Sequence, residues 1–161
     1  MIVVSDTGPL NYLLRLEAIE ILPRLYGSVL IPETVRQELL HPNAPAVVLA
    51  WAAHLPEWAS LGQPQTLLPQ TLLRLALDAG ELAAISLAVE RNADLLLMDD
   101  LRGRQAAMSQ KLKIIGTLGI LATAARSGLL DFNSALTRLR QTGFHVSEEV
   151  VRTLPGNQAP E

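Results

Sequence analysis

The chain has 161 residues, which is enough for one domain of ordinary size. Hydrophobic residues make up 49% of it and charged residues 18%, a balance that excludes intrinsic disorder. The net charge is −3, from 13 basic and 16 acidic side chains, which argues against a protein that holds long nucleic acid by charge alone.

Several further classes are excluded by what the chain lacks. Aromatic residues make up only 4%, too few for a stacking platform that binds single strands. The absence of cysteine excludes disulfides, thiolate zinc sites and thiol nucleophiles. The longest candidate for a membrane span, residues 82–89, is far shorter than the roughly twenty residues required. The chain also opens without a basic segment leading into an apolar one, so we expect a cytoplasmic protein with no membrane partner.

The first half of the chain alternates short apolar runs with helical segments. The β-branched run at residues 2–5 predicts a strand buried on both faces, and Pro9 opens a predicted helix that ends near residue 16. The other elements predicted here are a helix at 17–24, a strand at 28–31, helices at 33–40 and 46–54, a strand at 58–61 and a loop at 62–69.

The second half continues the same alternation. The predicted elements are a helix at 71–77, a break at 78–80, a helix at 81–91, a strand at 95–98, a helix at 103–110, a strand at 114–115 and helices at 117–127, 131–141 and 147–154. Short strands that alternate with helices indicate an α/β fold, a parallel sheet with helices on both faces. We expect a single domain over residues 1–154 and a polar tail over 155–161.

Acidic residues directly follow two of the predicted strands. In an open parallel sheet, ligands bind beyond the carboxyl ends of the strands. Asp6 follows the first strand, where it is either a ligand-binding residue or the N-cap of the next helix. Asp99 and Asp100 follow the strand at 95–98, and adjacent like charges repel unless a cation lies between them and other acids.

Two glutamates are predicted to point toward the packed side of their helices. Glu38 lies at the edge of a buried helical face, and Glu81 lies in line with Ile85 and Ala88. The alternative for Glu81 is a first-turn acid that favours the helix dipole. Asp78 is interpreted as a cap or turn residue.

Carboxylates gathered without cysteine or spaced histidines predict a site of hard oxygen ligands, which suits Mg²⁺ or Mn²⁺. The three histidines, His41, His54 and His145, are scattered and are interpreted as ordinary. With one or two divalent ions, such a site can orient water and stabilise charge on a phosphodiester.

A basic segment follows the acidic pair. Residues 101–113 carry a charge of +4 and no acid, from Arg102, Arg104, Lys111 and Lys113. Arg102 and Arg104 start near the acids, so they either contact a nucleic-acid backbone or belong to a solvated helix face.

Five pieces of sequence, taken in order, match one known family. They are Val-Val-Ser-Asp-Thr at 3–7, Ile-Pro-Glu-Thr-Val-Arg-Gln-Glu-Leu at 31–39, Ala-Gly-Glu at 79–81, Asp-Leu-Leu-Leu-Met-Asp-Asp-Leu-Arg-Gly-Arg at 94–104 and Gly-Thr-Leu-Gly-Ile-Leu at 116–121. With this order and spacing, the chain resembles a PIN-domain ribonuclease of the VapC-like toxin branch. The resemblance implies a three-layer α/β/α sandwich with a short parallel sheet, commonly a homodimer, that cuts RNA with Mg²⁺ or Mn²⁺.

The resemblance also implies roles for individual residues. The metal ligands would be Asp6, Glu38, Glu81 and Asp100, with Asp99 as the alternative for the last position. Thr7 would support the site through its hydroxyl group. Relatives of this kind usually pair with a small antitoxin whose tail blocks the acidic pocket.

Two positions depart from the pattern of the family. Many relatives carry Ser or Asn where this chain has Gly8, and another acid where it has Ala83.

The leading hypothesis from the sequence is a Mg²⁺- or Mn²⁺-dependent endoribonuclease, the toxin of a toxin–antitoxin pair. The first alternative, which the two departures motivate, is a catalytically silent module that binds RNA or protein. A phosphoacceptor receiver domain is the second alternative. Such a domain requires a lysine after a later strand to pair with the phosphoryl group, whereas this chain has Gly116 and Thr117 there.

Overall fold

The computed structural model describes residues 1–69 and 76–154. Within these ranges, five strands form one parallel sheet in the order β3-β2-β1-β4-β5. The strands are β1 Val3–Ser5, β2 Val29–Pro32, β3 Ala59–Gly62, β4 Leu95–Leu97 and β5 Ile114–Ile115. The first strand lies at the centre, so that β1 and β4 end side by side at the carboxyl edge of the sheet.

Helices pack on both faces of this sheet. In the described ranges they are α1 Thr7–Arg15, α2 Ile21–Tyr26, α3 Glu33–Leu39, α4 Ala46–Ala53, α5 Ala79–Glu90, α6 Leu101–Ser109, α7 Thr117–Arg126, α8 Phe132–Gln141 and α9 Glu148–Thr153. The fold is α/β with a five-stranded parallel sheet flanked by helices, as the alternating pattern predicted.

Two hydrophobic clusters hold the layers together, because successive strand residues point to opposite faces. On one face, Val3 and Leu97 pack in a cluster with apolar residues of α1, α3, α4, α7 and α8. On the other face, Val4, Leu96 and Met98 pack with apolar residues of α5 and α6. Burial on both faces explains why these strands are continuous apolar runs.

Several boundaries differ from the prediction for local reasons. The predicted helix over 17–24 begins instead at Ile21, because Glu17 adopts a left-handed backbone conformation (φ 56°) that no helix continues. The break predicted at 78–80 is wrong, since Asp78 caps a helix that already includes Ala79 and Gly80. Helix α6 begins at Leu101, two residues earlier than predicted, because Asp100 is its N-cap.

Two predictions concern residues that lie outside the described ranges. These are most of the helix at 71–77 and the polar tail at 155–161. In the described part of the chain, no helix is long and apolar enough to span a bilayer.

Candidate functional site

A cleft with a volume of about 550 Å³ opens at the carboxyl ends of β1 and β4. We call it the acidic cleft, after the carboxylates that line it: Asp6, Glu38, Asp78, Glu81, Asp99 and Asp100. All five acids singled out in the sequence therefore meet in one place, together with Thr7, and Asp78 joins them. Among the described residues that line the cleft, there is no lysine or arginine.

Asp6 lies at the floor of the acidic cleft, directly after β1. It is 6% exposed, and its Oδ1 atom is buried without a hydrogen-bond partner among the described residues. Asp6 occupies the N-cap position of α1, but its side chain makes no capping hydrogen bond, so the N-cap alternative does not explain this carboxylate. Burial raises the pKa of Asp6 to about 8, and the negative charges of Asp78, Glu38 and Glu81 add to this shift.

Glu38 reaches the cleft from the edge of α3 and is held by two donors. Thr7 donates a short hydrogen bond from its hydroxyl to Oε2, and the backbone N–H of Gly80 donates to Oε1 at 3.0 Å. A methyl group at Gly80 would overlap both carboxylate oxygens of Glu38, so only glycine permits this approach. Thr7 thus helps to position the Glu38 carboxylate in the cleft.

Glu81 is fixed by a reciprocal capping arrangement at the start of α5. The N–H of Glu81 donates to Asp78 Oδ1 at 2.8 Å, and the N–H of Asp78 donates to Glu81 Oε2 at 3.1 Å. Burial raises the pKa of Glu81 to about 7, and the charges of Asp78 and Asp100 contribute to this shift. The Asp-x-x-Glu spacing of a capping box was the sequence signal for this geometry. The prediction that Asp78 is a cap is confirmed, but its place in the cleft was missed.

Asp99 and Asp100 have different environments although they are adjacent. Thr117, the first residue of α7, donates to Asp99 twice, from its N–H to Oδ1 at 2.7 Å and from its hydroxyl to Oδ2 at 2.6 Å. Burial raises the pKa of Asp99, against the opposing effects of Thr117 and Arg104. Asp100 is exposed, and its Oδ2 accepts the N–H groups of Arg102 and Gly103.

The basic segment is only partly at the cleft. Arg104 lies beside Asp99, since a Cβ atom at Gly116 would lie 2.8 Å from Asp99 Oδ1 and 3.0 Å from an Arg104 guanidinium nitrogen. Arg102 is exposed and touches the cleft only through its backbone N–H bond to Asp100. Lys111 and Lys113 are exposed at the far end of the segment and do not line the cleft.

Sequence reasoning missed the C-terminal wall of the cleft. Gly143, Phe144 and His145 line it from the connection between α8 and α9, and the ring of Phe144 packs edge-on against Tyr12 at 4.8 Å between centroids. The sequence alone predicts no special role for His145, whereas the structure places it in the wall of the cleft. Nothing in the local pattern signals this placement, because long-range packing produces it.

The donor set fits a divalent cation by its chemistry. Carboxylate oxygens are the ligands that Mg²⁺ and Mn²⁺ prefer, and the buried Asp6 Oδ1 lacks a partner. In residues 1–69 and 76–154, no three acidic or histidine side chains already stand in the arrangement of a metal site. The carboxylates are instead engaged by Thr7, Gly80, Thr117 and other backbone N–H groups, so metal binding would require side-chain rotations.

Comparisons with known proteins give one family and one fold. A family model described as a PIN domain (DUF3368) matches residues 2–155. Among solved structures, a PilT N-terminus domain protein from the hyperthermophilic archaeon Sulfolobus solfataricus P2 is similar, with a TM-score of 0.57 and 18% identity over 77% of this chain and 93% of that chain. At this identity the likeness concerns the fold alone. No curated protein matches the chain.

Proposed function

This chain belongs to the PIN domain family, and from that premise we propose that it is a Mg²⁺- or Mn²⁺-dependent endoribonuclease. The observation that carries the proposal is the buried, unpartnered carboxylate oxygen of Asp6 in a cleft whose other walls are also acidic. Burying a charge without a partner is costly, and a cation in the cleft would compensate that cost. Membership of this family contradicts the receiver-domain alternative.

Four side chains would hold the metal: Asp6, Glu38, Glu81 and Asp100. We prefer Asp100 to Asp99 because the Asp100 carboxylate is close enough to Glu81 to raise the pKa of that glutamate. Both oxygens of Asp99, in contrast, accept hydrogen bonds from Thr117. When bound, a divalent ion would help to deprotonate a water and stabilise charge that develops on the phosphodiester. The protein contributes the positions of the carboxylates, through Thr7 and Gly80 on Glu38 and through Asp78 on Glu81.

The RNA backbone would be bound beside the metal by Arg104, and with less support by Arg102. Arg104 does not line the cleft but is adjacent to Asp99 at its edge, so a phosphate bound beside Asp99 would be close to its guanidinium group. A guanidinium donates several N–H groups in a fixed plane that matches phosphate oxygens. Such contacts hold the strand without selecting its sequence.

We extend the proposal to the biological setting implied by the resemblance. The protein would be the toxin of a toxin–antitoxin pair, act in the cytoplasm as a homodimer, and be inhibited by a small protein antitoxin. The strongly acidic lining of the cleft supports an inhibitor that carries a basic group, because opposite charges attract most strongly where water is partly excluded.

Asp6→Asn tests the proposed function directly. The variant should cleave RNA more than about 100-fold more slowly than the wild type in Mn²⁺ or Mg²⁺, since even partners of metal ligands cost 10- to 100-fold when removed. Glu17→Gln is the matched control, a carboxylate-to-amide change outside the acidic cleft, and it should retain full activity. Expression of the wild type, but not of Asp6→Asn, should arrest growth.

Undiminished cleavage by Asp6→Asn, or cleavage that survives chelation of all divalent ions, would contradict the mechanism. Binding of RNA without cleavage at any metal concentration would instead favour the silent module.

The two positions that depart from the family pattern, Gly8 and Ala83, bear on that outcome. A side chain at Gly8 would come within 3.2 Å of Asp99 Oδ2, and Ala83 is 1% exposed and does not line the cleft.

A further inference from the structure

A second concavity of about 320 Å³ continues from the acidic cleft. We call it the side groove; its apolar walls are Ile114, Ile115, Leu118, Val150 and Leu154. It lies between α6, the β5–α7 turn and the C-terminal helix α9. Its volume is at the lower end of the range for small-molecule sites, so it is suited to one small planar group and not to a long chain.

The side groove and the acidic cleft are continuous. Asp99, Phe144 and His145 line both of them. A strand whose phosphate reached the carboxylates would therefore have its neighbouring nucleotide at the mouth of the side groove. Gly116 keeps this passage open, because a Cβ atom there would contact both Asp99 and Arg104.

The side groove contains the positive charge that a phosphate requires, on the guanidinium group of Arg104. Arg104 and His145 line it, and Asp99, at the junction with the cleft, is its only acid among the described residues. In the described part of the chain, no carboxylate forms an ion pair with Arg104 within 4.0 Å. The guanidinium lies beside Asp99 without forming an ion pair with it, so its N–H groups can also reach a ligand at the junction.

Apolar walls, one aromatic ring and one guanidinium group together match the chemistry of a nucleotide. Unpaired RNA bases bind proteins by stacking on aromatic rings and guanidinium planes and by contact with apolar side chains. We infer that the side groove binds the base of the nucleotide next to the cleaved phosphodiester, with Arg104 on its phosphate. This inference rests on the proposed function, and it makes Val150, Leu118 and Phe144 determinants of base preference.

Nucleotide binding to the metal-free full chain tests the inference without requiring activity. Methyl NMR resonances of Ile114, Leu118 and Val150 should shift saturably with uridine or adenosine 5′-monophosphate, and much less with ribose 5-phosphate. Methyl resonances of Ile21 and Leu130, which line a different hollow, should stay in place. Arg104→Gln should weaken nucleotide monophosphate binding about tenfold, one charge-assisted contact, and leave the affinity for the nucleoside unchanged.

Val150→Trp should fill the side groove and abolish the shifts, whereas Val47→Trp is the control. The two valines are 46% and 44% exposed, so both substitutions enlarge a side chain that is already partly in solvent. Equal shifts with ribose 5-phosphate and with the nucleotides, or no saturable shift at millimolar concentration, would overturn the inference. If cleavage depends on Asp6 while the groove methyls do not respond, only the groove assignment fails. If the methyls respond but RNA is never cleaved, the proposed function fails, and with it the position next to a cleaved phosphodiester, while nucleotide binding in the side groove stands.

Discussion

The acidic cleft and a second hollow both contain acidic side chains, and their carboxylates behave in opposite ways. In the acidic cleft, Asp6 is almost fully buried and burial raises its pKa to about 8. The other hollow, about 360 Å³, lies between the α1–α2 connection and α8. There Glu17 pairs with Arg138 at 3.5 Å, with its side chain 81% exposed, and hydrogen bonds from Ser134 lower the pKa of Asp131.

The comparison shows that concavity alone does not mark a functional site. Water and the nearby guanidinium group of Arg138 stabilise the charges in the second hollow, so these charges do not require a bound ligand. The acidic cleft gathers charges of one sign and withdraws them from water, which is unfavourable unless a cation binds. Such perturbed carboxylates in a cleft are typical of sites that perform chemistry.

Among the changes that test this comparison without replacing a carboxylate of the cleft, the largest effect is expected from Gly80→Ala. The new methyl group would overlap the Glu38 carboxylate and displace it from the cleft, so RNA cleavage and Mn²⁺ affinity should both fall about 10- to 100-fold. Alanine favours the helix more than glycine does, so the fold should persist. Ala79→Ser, at the neighbouring exposed position, should change neither quantity. Wild-type cleavage by Gly80→Ala would remove Glu38 from the metal site.

A smaller effect concerns stability, which Asp6→Asn should raise in the metal-free protein. The folded-state pKa of Asp6 is raised to about 8, so its carboxyl group stabilises the fold below about pH 4, and this contribution is lost as the pH rises toward 8. The amide cannot ionise, so the variant should be more stable than the wild type by on the order of 1–3 kcal/mol at pH 8 and equally stable near pH 4.

Thermal unfolding followed across this pH range measures the difference. Mn²⁺ should raise the Tm of the wild type and not that of the variant, because only the wild type binds the ion in its folded state. If the variant were less stable than the wild type at pH 8 without metal, the negative charge of Asp6 would not be destabilising the folded protein.

The smallest effect is expected in the second hollow, with the opposite sign. Asp131 accepts hydrogen bonds from the Ser134 N–H and hydroxyl and caps α8. Since its folded-state pKa is lowered, its stabilisation is present above about pH 4 and is lost as the pH falls through the folded value. Asp131→Ala should lower the Tm slightly at pH 7 and progressively less below pH 4, whereas Asp131→Asn keeps the capping acceptor and should stay close to the wild type. A higher Tm for Asp131→Ala would contradict this contrast.

Much of the fold could be predicted from local pattern. The apolar runs around Val3 and Leu96 predict strands buried on both faces, and a parallel sheet then aligns their carboxyl ends, so the proximity of Asp6 to Asp99 and Asp100 follows. Element boundaries were less predictable. The left-handed conformation of Glu17 and the capping by Asp78 depend on single side chains and backbone angles that the hydrophobic pattern does not encode.

By itself, the sequence determined the α/β fold and the residues that can supply carboxylates at one edge of the sheet. Only the tertiary structure decided which oxygen is left without a partner, that Thr117 holds Asp99, and that Phe144 and His145 close the cleft. The physical reason is the distance along the chain over which each effect acts. Strand and helix patterns arise from neighbours along the chain, whereas burial, and with it the free energy of a charge, depends on every segment that packs around it.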